Sequence, residues 1–151
     1  MYKIENDGGV ILEYWLKNSI ETFQFPINFD NFEVKFGSLN KTINLLNFGE
    51  VNITGENKLR EWSVSGFFPA QKYSFCDCEP KNDPYAYCKI IDQIKYSKGI
   101  CRFIATGTRL NNACTIEEFS YKEQDGTGDV YFTISFREHK LVGIKGRSVV
   151  I

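Results

Sequence analysis

The chain has 151 residues and a formal charge of -1, with 18 Lys and Arg against 19 Asp and Glu, and the signs alternate along the sequence, so no basic footprint for nucleic acid is present. Aromatics make up 15% of it, including 13 Phe and 8 Tyr, a composition that favours strands and contact surfaces. The first residues carry Lys3, Glu5 and Asp7 instead of a basic-then-apolar leader, and no apolar run approaches the roughly 18 residues of a membrane span, so the expectation is a soluble protein made in the cytosol.

No repeat, low-complexity tract or linker divides the chain, which reads as one domain over residues 1–151. In chain order, strands are expected over 10–17 and 22–26, then where Phe32, Val34 and Phe36 alternate with Glu33 and Lys35. Residues 42–46 and 50–54 follow as strands between Gly and Asn turn signals. Trp62, Val64 and Phe68 then alternate with Glu61, Ser63 and Ser65.

A helix is predicted over 84–98, with Asp83 as N-cap, Pro84 at the first helical position and Gly99 after a basic end. Tyr87, Cys88, Ile91 and Ile94 form its apolar stripe. Strands over 100–106 and 115–121 come next. A loop with Gly126 and Gly128 then turns the chain into a strand whose Val130, Phe132, Ile134 and Phe136 share one face. Strands with a single helix among them predict an α+β domain: a β-rich sandwich or open barrel with one flanking helix.

The pattern holds no catalytic constellation. His139 stands alone past the last strong strand, without a nucleophile motif beside it, and reads as a surface residue. Cys76, Cys78 and Cys88 could suggest zinc, but Cys-Asp-Cys lacks the spacer of a zinc knuckle. The five cysteines read as reduced thiols, mostly small buried hydrophobes. Glu117 and Glu118 read as solvated acids, the 124–129 loop lacks the ligand series of a calcium loop, and Gly126-Thr127-Gly128 lacks the rest of a phosphate-binding pattern. No catalytic residue, metal or cofactor is expected. Phe67 and Phe68 are adjacent at a strand end and point to opposite faces, so either one of them reaches a partner or the sheet is covered on both sides.

Four stretches carry a family resemblance: Phe25-Pro26-Ile27-Asn28 leading to Phe32-Glu33-Val34; Asn47-Phe48-Gly49-Glu50-Val51-Asn52; Ser65-Gly66-Phe67-Phe68-Pro69; and Tyr121 to Phe132 with its Asp125-Gly126-Thr127-Gly128-Asp129 loop. In this order they resemble the N-terminal domain of LysM-type baseplate and hub tail proteins of contractile phage tails, PBSX-like prophages and R-type bacteriocins. The resemblance implies a tail-tube-like fold and a structural, non-enzymatic part of a baseplate that bridges the tail tube to the hub or spike. It also implies a homo-hexameric ring, with tube, hub or spike and baseplate wedge proteins as partners and the virion as destination; no membrane or nucleic-acid contact is implied.

That family continues into a LysM module, whereas this sequence ends at Ile151, so peptidoglycan binding through such a module is not carried over. The residues expected at interfaces are Phe67, Phe68, Asp125, Gly126, Gly128 and the apolar tail Val149, Val150 and Ile151, which would add a strand to a neighbour. The competing reading is a cell-wall glycan-binding module, with Trp15, Trp62 and the tyrosines stacking on sugar rings.

Overall fold

The computed structural model describes residues 3–4, 10–108, 110–144 and 147–150, and the side chains of 12–108 and 110–140. In chain order its strands are β1 (Lys3–Ile4), β2 (Val10–Ile11), β3 (Tyr14–Lys17), β4 (Phe23–Gln24), β5 (Asn31–Lys35), β6 (Lys41–Leu45), β7 (Gly49–Ile53) and β8 (Glu61–Phe68). Helix α1 (Pro84–Tyr96) follows, then β9 (Cys101–Ala105), β10 (Asn111–Lys122), β11 (Val130–Glu138), β12 (Leu141–Ile144) and β13 (Arg147–Val150). Seven strands form one sheet in the order β4-β3-β9-β10-β11-β8-β5, an open half-barrel. Every pairing is antiparallel. Three further pairs, β1-β2, β6-β7 and β12-β13, stand as separate two-stranded sheets.

Strict alternation makes β8 and β11 the most regular strands. Trp62, Val64 and Phe68 on β8 and Val130, Phe132, Ile134 and Phe136 on β11 are all buried, while Ser65 and Thr133 meet on the opposite face with their hydroxyls 3.1 Å apart. The helix covers the apolar face. Asp83 caps it by accepting from the Tyr85 amide at 3.0 Å, which satisfies a donor that the first turn cannot pair internally. Tyr87, Cys88, Ile91 and Ile94 are buried as their spacing predicts, and Ile90 joins them. The Tyr87 ring stacks on Phe68 at 4.5 Å, and Phe68 stacks on Phe132 at 4.3 Å. Phe25, whose amide donates to the Tyr14 carbonyl at 2.8 Å, completes this aromatic core with Phe29 and Phe103.

Several boundaries differ from expectation. The strand expected over 10–17 is broken between β2 and β3, because the Glu13 amide and carbonyl both turn to Thr106: Glu13 N donates to Thr106 Oγ1 at 2.8 Å and Thr106 N to Glu13 O at 2.9 Å. The helix ends at Tyr96, two residues early; Ser97 is its C-cap and Lys98 adopts φ 57°, which stops the helix. β10 begins at Asn111, earlier than expected, and carries a bulge between Ile116 and Glu118. His139 is half-buried, not on the open surface, because its amide donates to Ala113 O at 2.8 Å and draws it against β10.

At the tail, Val149 and Val150 pair with Val142 and Leu141 in the β12-β13 hairpin. Ile151 lies outside the described residues.

Candidate interaction surfaces

Two surfaces stand apart from the core. The first is an arm over residues 36–60, inserted between β5 and β8, which are themselves directly paired from Asn31↔Ser65 to Lys35↔Glu61. At its base the Leu39 amide donates to Glu56 O at 2.7 Å and the Lys58 amide to Gly37 O at 2.9 Å. A Cβ on Gly55 would come within 1.9 Å of the Leu39 carbonyl oxygen, so the two limbs approach more closely there than another residue would allow. Beyond this base, β6 and β7 pair from Lys41↔Ile53 to Leu45↔Gly49, and the tip reverses through Asn47 at φ 63° and Gly49 at φ 104°.

The arm displays apolar side chains to solvent. Leu46 is 91% and Phe48 77% exposed at the tip. Leu45, Ile53 and Leu39 are exposed along it, and at its root Phe36 lies under the Arg60 guanidinium, 5.2 Å from the ring centre. Sequence reading took 42–46 and 50–54 as strands of the body. Their alternation looks like that of strands in the body, and only the topology sets them apart.

The second surface lies on the uncovered face of the sheet at the β8–β11 end. Phe67 is half-buried there, with ring centres at 5.4 Å to Tyr131, 6.2 Å to Tyr73 and 6.5 Å to Phe75. Tyr73 and Phe75 stack at 5.0 Å, and Phe75 is 57% exposed. The β10–β11 loop is tied to this patch. Asp129 is buried and accepts from the Ala70 amide and the Tyr73 hydroxyl, both at 2.7 Å. Asp125 accepts from Thr127 Oγ1 at 2.6 Å and Tyr131 Oη at 2.7 Å.

The Thr127 and Tyr131 hydroxyls hold the Asp125 carboxyl below its usual range, and the carboxylate in turn pushes the Tyr131 phenol up to about 12. Gly126 and Gly128 take φ 73° and 86°, and a Cβ on Gly128 would press on Ala70 at 3.2 Å. The fold thus brings Phe67, Asp125, Gly126 and Gly128 into one patch, together with Tyr73 and Phe75, which sequence reading missed because their loop has no periodicity.

The other expected contact residues separate from it. Phe68 is fully buried, so the expectation that it meets a partner is corrected: its ring is core, since the helix covers that face. Trp62 is likewise buried, stacked on Phe136 at 5.7 Å, and is no sugar platform. Among the described residues no group of three or more His, Cys, Asp or Glu is arranged to hold a metal. Glu117 pairs with Arg137 at 3.0 Å, and Arg137 reaches Glu61 at 2.6 Å, forming a charged network on the uncovered face.

The fold is similar to assembled tail proteins. A chain from the virion of a native gene transfer agent particle matches with a TM-score of 0.52 at 10% identity, covering 91% of this chain and 95% of that one. A chain from the tail of an empty gene transfer agent particle, refined with C6 symmetry, matches at 0.53 and 13% identity, covering 88% and 92%. The SPP1 tail tube protein matches at 0.52 and 13% identity, covering 90% and 76%. In sequence, the uncharacterized protein YqbP of Bacillus subtilis (strain 168) is 29% identical over 132 residues, or 86% of this chain, which spans 60% of the length of YqbP. The model of the Dit-like phage tail protein family matches residues 51–149, from the returning strand of the arm through β13, and the chain belongs to that family.

Proposed function

We propose that this chain is a structural, non-catalytic subunit at the end of a phage or phage-like tail, where it joins the tail tube to the hub or spike as one member of a sixfold ring. The carrying observation is the 36–60 arm, which displays the apolar side chains of Leu46 and Phe48 almost wholly to solvent. An isolated two-stranded hairpin is marginally stable in water, and apolar groups displayed on one are expected to be covered in the working assembly. The occupant we assign to it is a neighbouring tail subunit. The Phe67, Tyr73 and Phe75 patch is a second contact surface, which the Asp125-Gly126-Thr127-Gly128-Asp129 loop holds in shape. The open edge of the β12-β13 hairpin at Val149 and Val150 is a third.

Family membership and the likeness to tail chains support this reading, and the sequence resemblance is what favours a contractile tail with a baseplate wedge among the partners. Cell-wall glycan binding remains the competing reading, now resting on the exposed Phe75, stacked on half-buried Tyr73, in place of Trp62. The test is electron microscopy of tails carrying the protein tagged at Met1, beside tails made with the Leu46→Asp, Phe48→Asp double variant. We expect sixfold density at the tube end and its loss in the variant, while the isolated variant melts as the parent does. Normal incorporation of the variant would refute docking through the arm. Absence of the tagged parent from purified tails would refute the structural role.

A further inference from the structure

β9 is the seam of the large sheet. β3 and β4 reach the remaining strands only through it, and β9 is held to β10 by register pairs from Asn111↔Ile104 to Cys114↔Cys101. The last of these pairs, at the end away from the connecting turn, consists of two cysteines. Both side chains point into the core, Cys101 3% and Cys114 0% exposed, with their sulfur atoms 3.6 Å apart. Directly opposed residues of an antiparallel pair have Cα atoms about 4.5 to 5.5 Å apart, inside the roughly 4.4 to 6.8 Å that a disulfide spans. Closing to an S–S bond of about 2.05 Å therefore asks only for small side-chain rotations, with no change of register.

We propose that Cys101 and Cys114 are an oxidisable pair that closes into a cross-strand disulfide when hydrogen peroxide reaches the folded protein. One sulfur attacks the peroxide, the O–O bond breaks, and a sulfenic acid forms with release of water. The second sulfur then attacks the first, the S–S bond forms, the S–O bond breaks, and a second water leaves. Two thiols lose two electrons and two protons in total, and the peroxide is the species reduced. The Cys101 thiol beside it and burial raise the Cys114 thiol above the ordinary range, so the reaction is slow and the bond, once made, is sheltered. The product staples β9 to β10 at the seam, at the first residue of β9. Cys76 and Cys78, half-buried in the 69–83 loop, are the internal competitors.

The inference does not depend on the tail-end role. To test it, the reduced full chain is exposed to hydrogen peroxide under native conditions, freed of peroxide with catalase, unfolded in iodoacetamide and digested with trypsin. We expect the peptide of residues 99–102 joined to that of 110–122. We also expect a higher melting temperature in the oxidised protein, lost on adding reductant and absent in Cys101→Ala. Recovery of both cysteines alkylated, or as separate sulfinic or sulfonic acids, or joined instead to Cys76, Cys78 or Cys88, overturns the pairing. An unchanged melting temperature in the linked protein overturns the stapling.

Discussion

Phe67 and Phe68 differ by one position along β8 and by the whole thickness of the sheet. Successive strand residues point to opposite faces, and the helix decides which face is core. Phe68 stacks between Tyr87 and Phe132, so Phe68→Ala should cost about 3 to 5 kcal/mol in chemical denaturation. Phe67→Ala removes ring contacts on the outer face and should cost about 1 kcal/mol; equal losses would contradict the placement of the two rings. Asp125 and Tyr131 give a second residue-scale prediction. The folded Asp125 pKa is depressed, so its contribution to the loop is present above the unfolded carboxylate pKa and is lost as pH falls through the folded value. The folded Tyr131 pKa is raised to about 12, so its contribution is present below the ordinary phenol value and is lost as pH rises through about 12. Tyr131→Phe should therefore move the Asp125 carboxyl back up in an NMR titration, and an unmoved carboxyl would mean that the hydrogen bond is absent in solution.

At the scale of elements, the helix and the two strongest strands were readable because each has a clean period and its own end signals. Asp83, Pro84 and the Tyr87, Cys88, Ile91 and Ile94 stripe lie where the pattern puts them. The arm was not readable as an arm. Its two strands alternate, but with both faces in water the alternation reports no core, and only the direct pairing of β5 with β8 shows that 36–60 is an insertion. Because Lys35 and Glu61 face each other in register, replacing 36–60 by Asn-Gly should close a tight hairpin. The loss should be limited to about 1 to 2 kcal/mol for the bonds that Arg60 shares with Glu138, at 2.8 and 3.0 Å. A cooperative melt close to that of the parent is expected; a molten product would mean that the arm supports the fold.

For the whole molecule, one curved sheet has one face filled by aromatic side chains under a helix, while the other carries hydroxyls and charges and, at the β8–β11 end, an aromatic patch. The core closes within the described residues, so if the chain assembles as proposed, the arm that projects from it is the first candidate contact. The intact chain should self-associate as its concentration rises in sedimentation velocity, whereas the chain lacking 36–60 should sediment as a monomer. Equal behaviour of the two would remove the arm from any account of ring formation.

The sequence alone determined the order of the strands and helix from β3 to β11, the buried stripe of α1, the inward face of β11, the glycine-borne loop before it and, through short motifs, the kinship with tail proteins. These are local or periodic properties, and side-chain chemistry fixes them within a few residues. Tertiary structure alone decided that Phe68 and Trp62 are core, that Phe67 joins Tyr73, Phe75 and Asp125 in one patch, that 36–60 leaves the sheet, and that Cys101 meets Cys114. Each of these depends on which strands become neighbours and which face the helix covers, and that choice is made by long-range packing of the whole aromatic core, which no local window of residues contains.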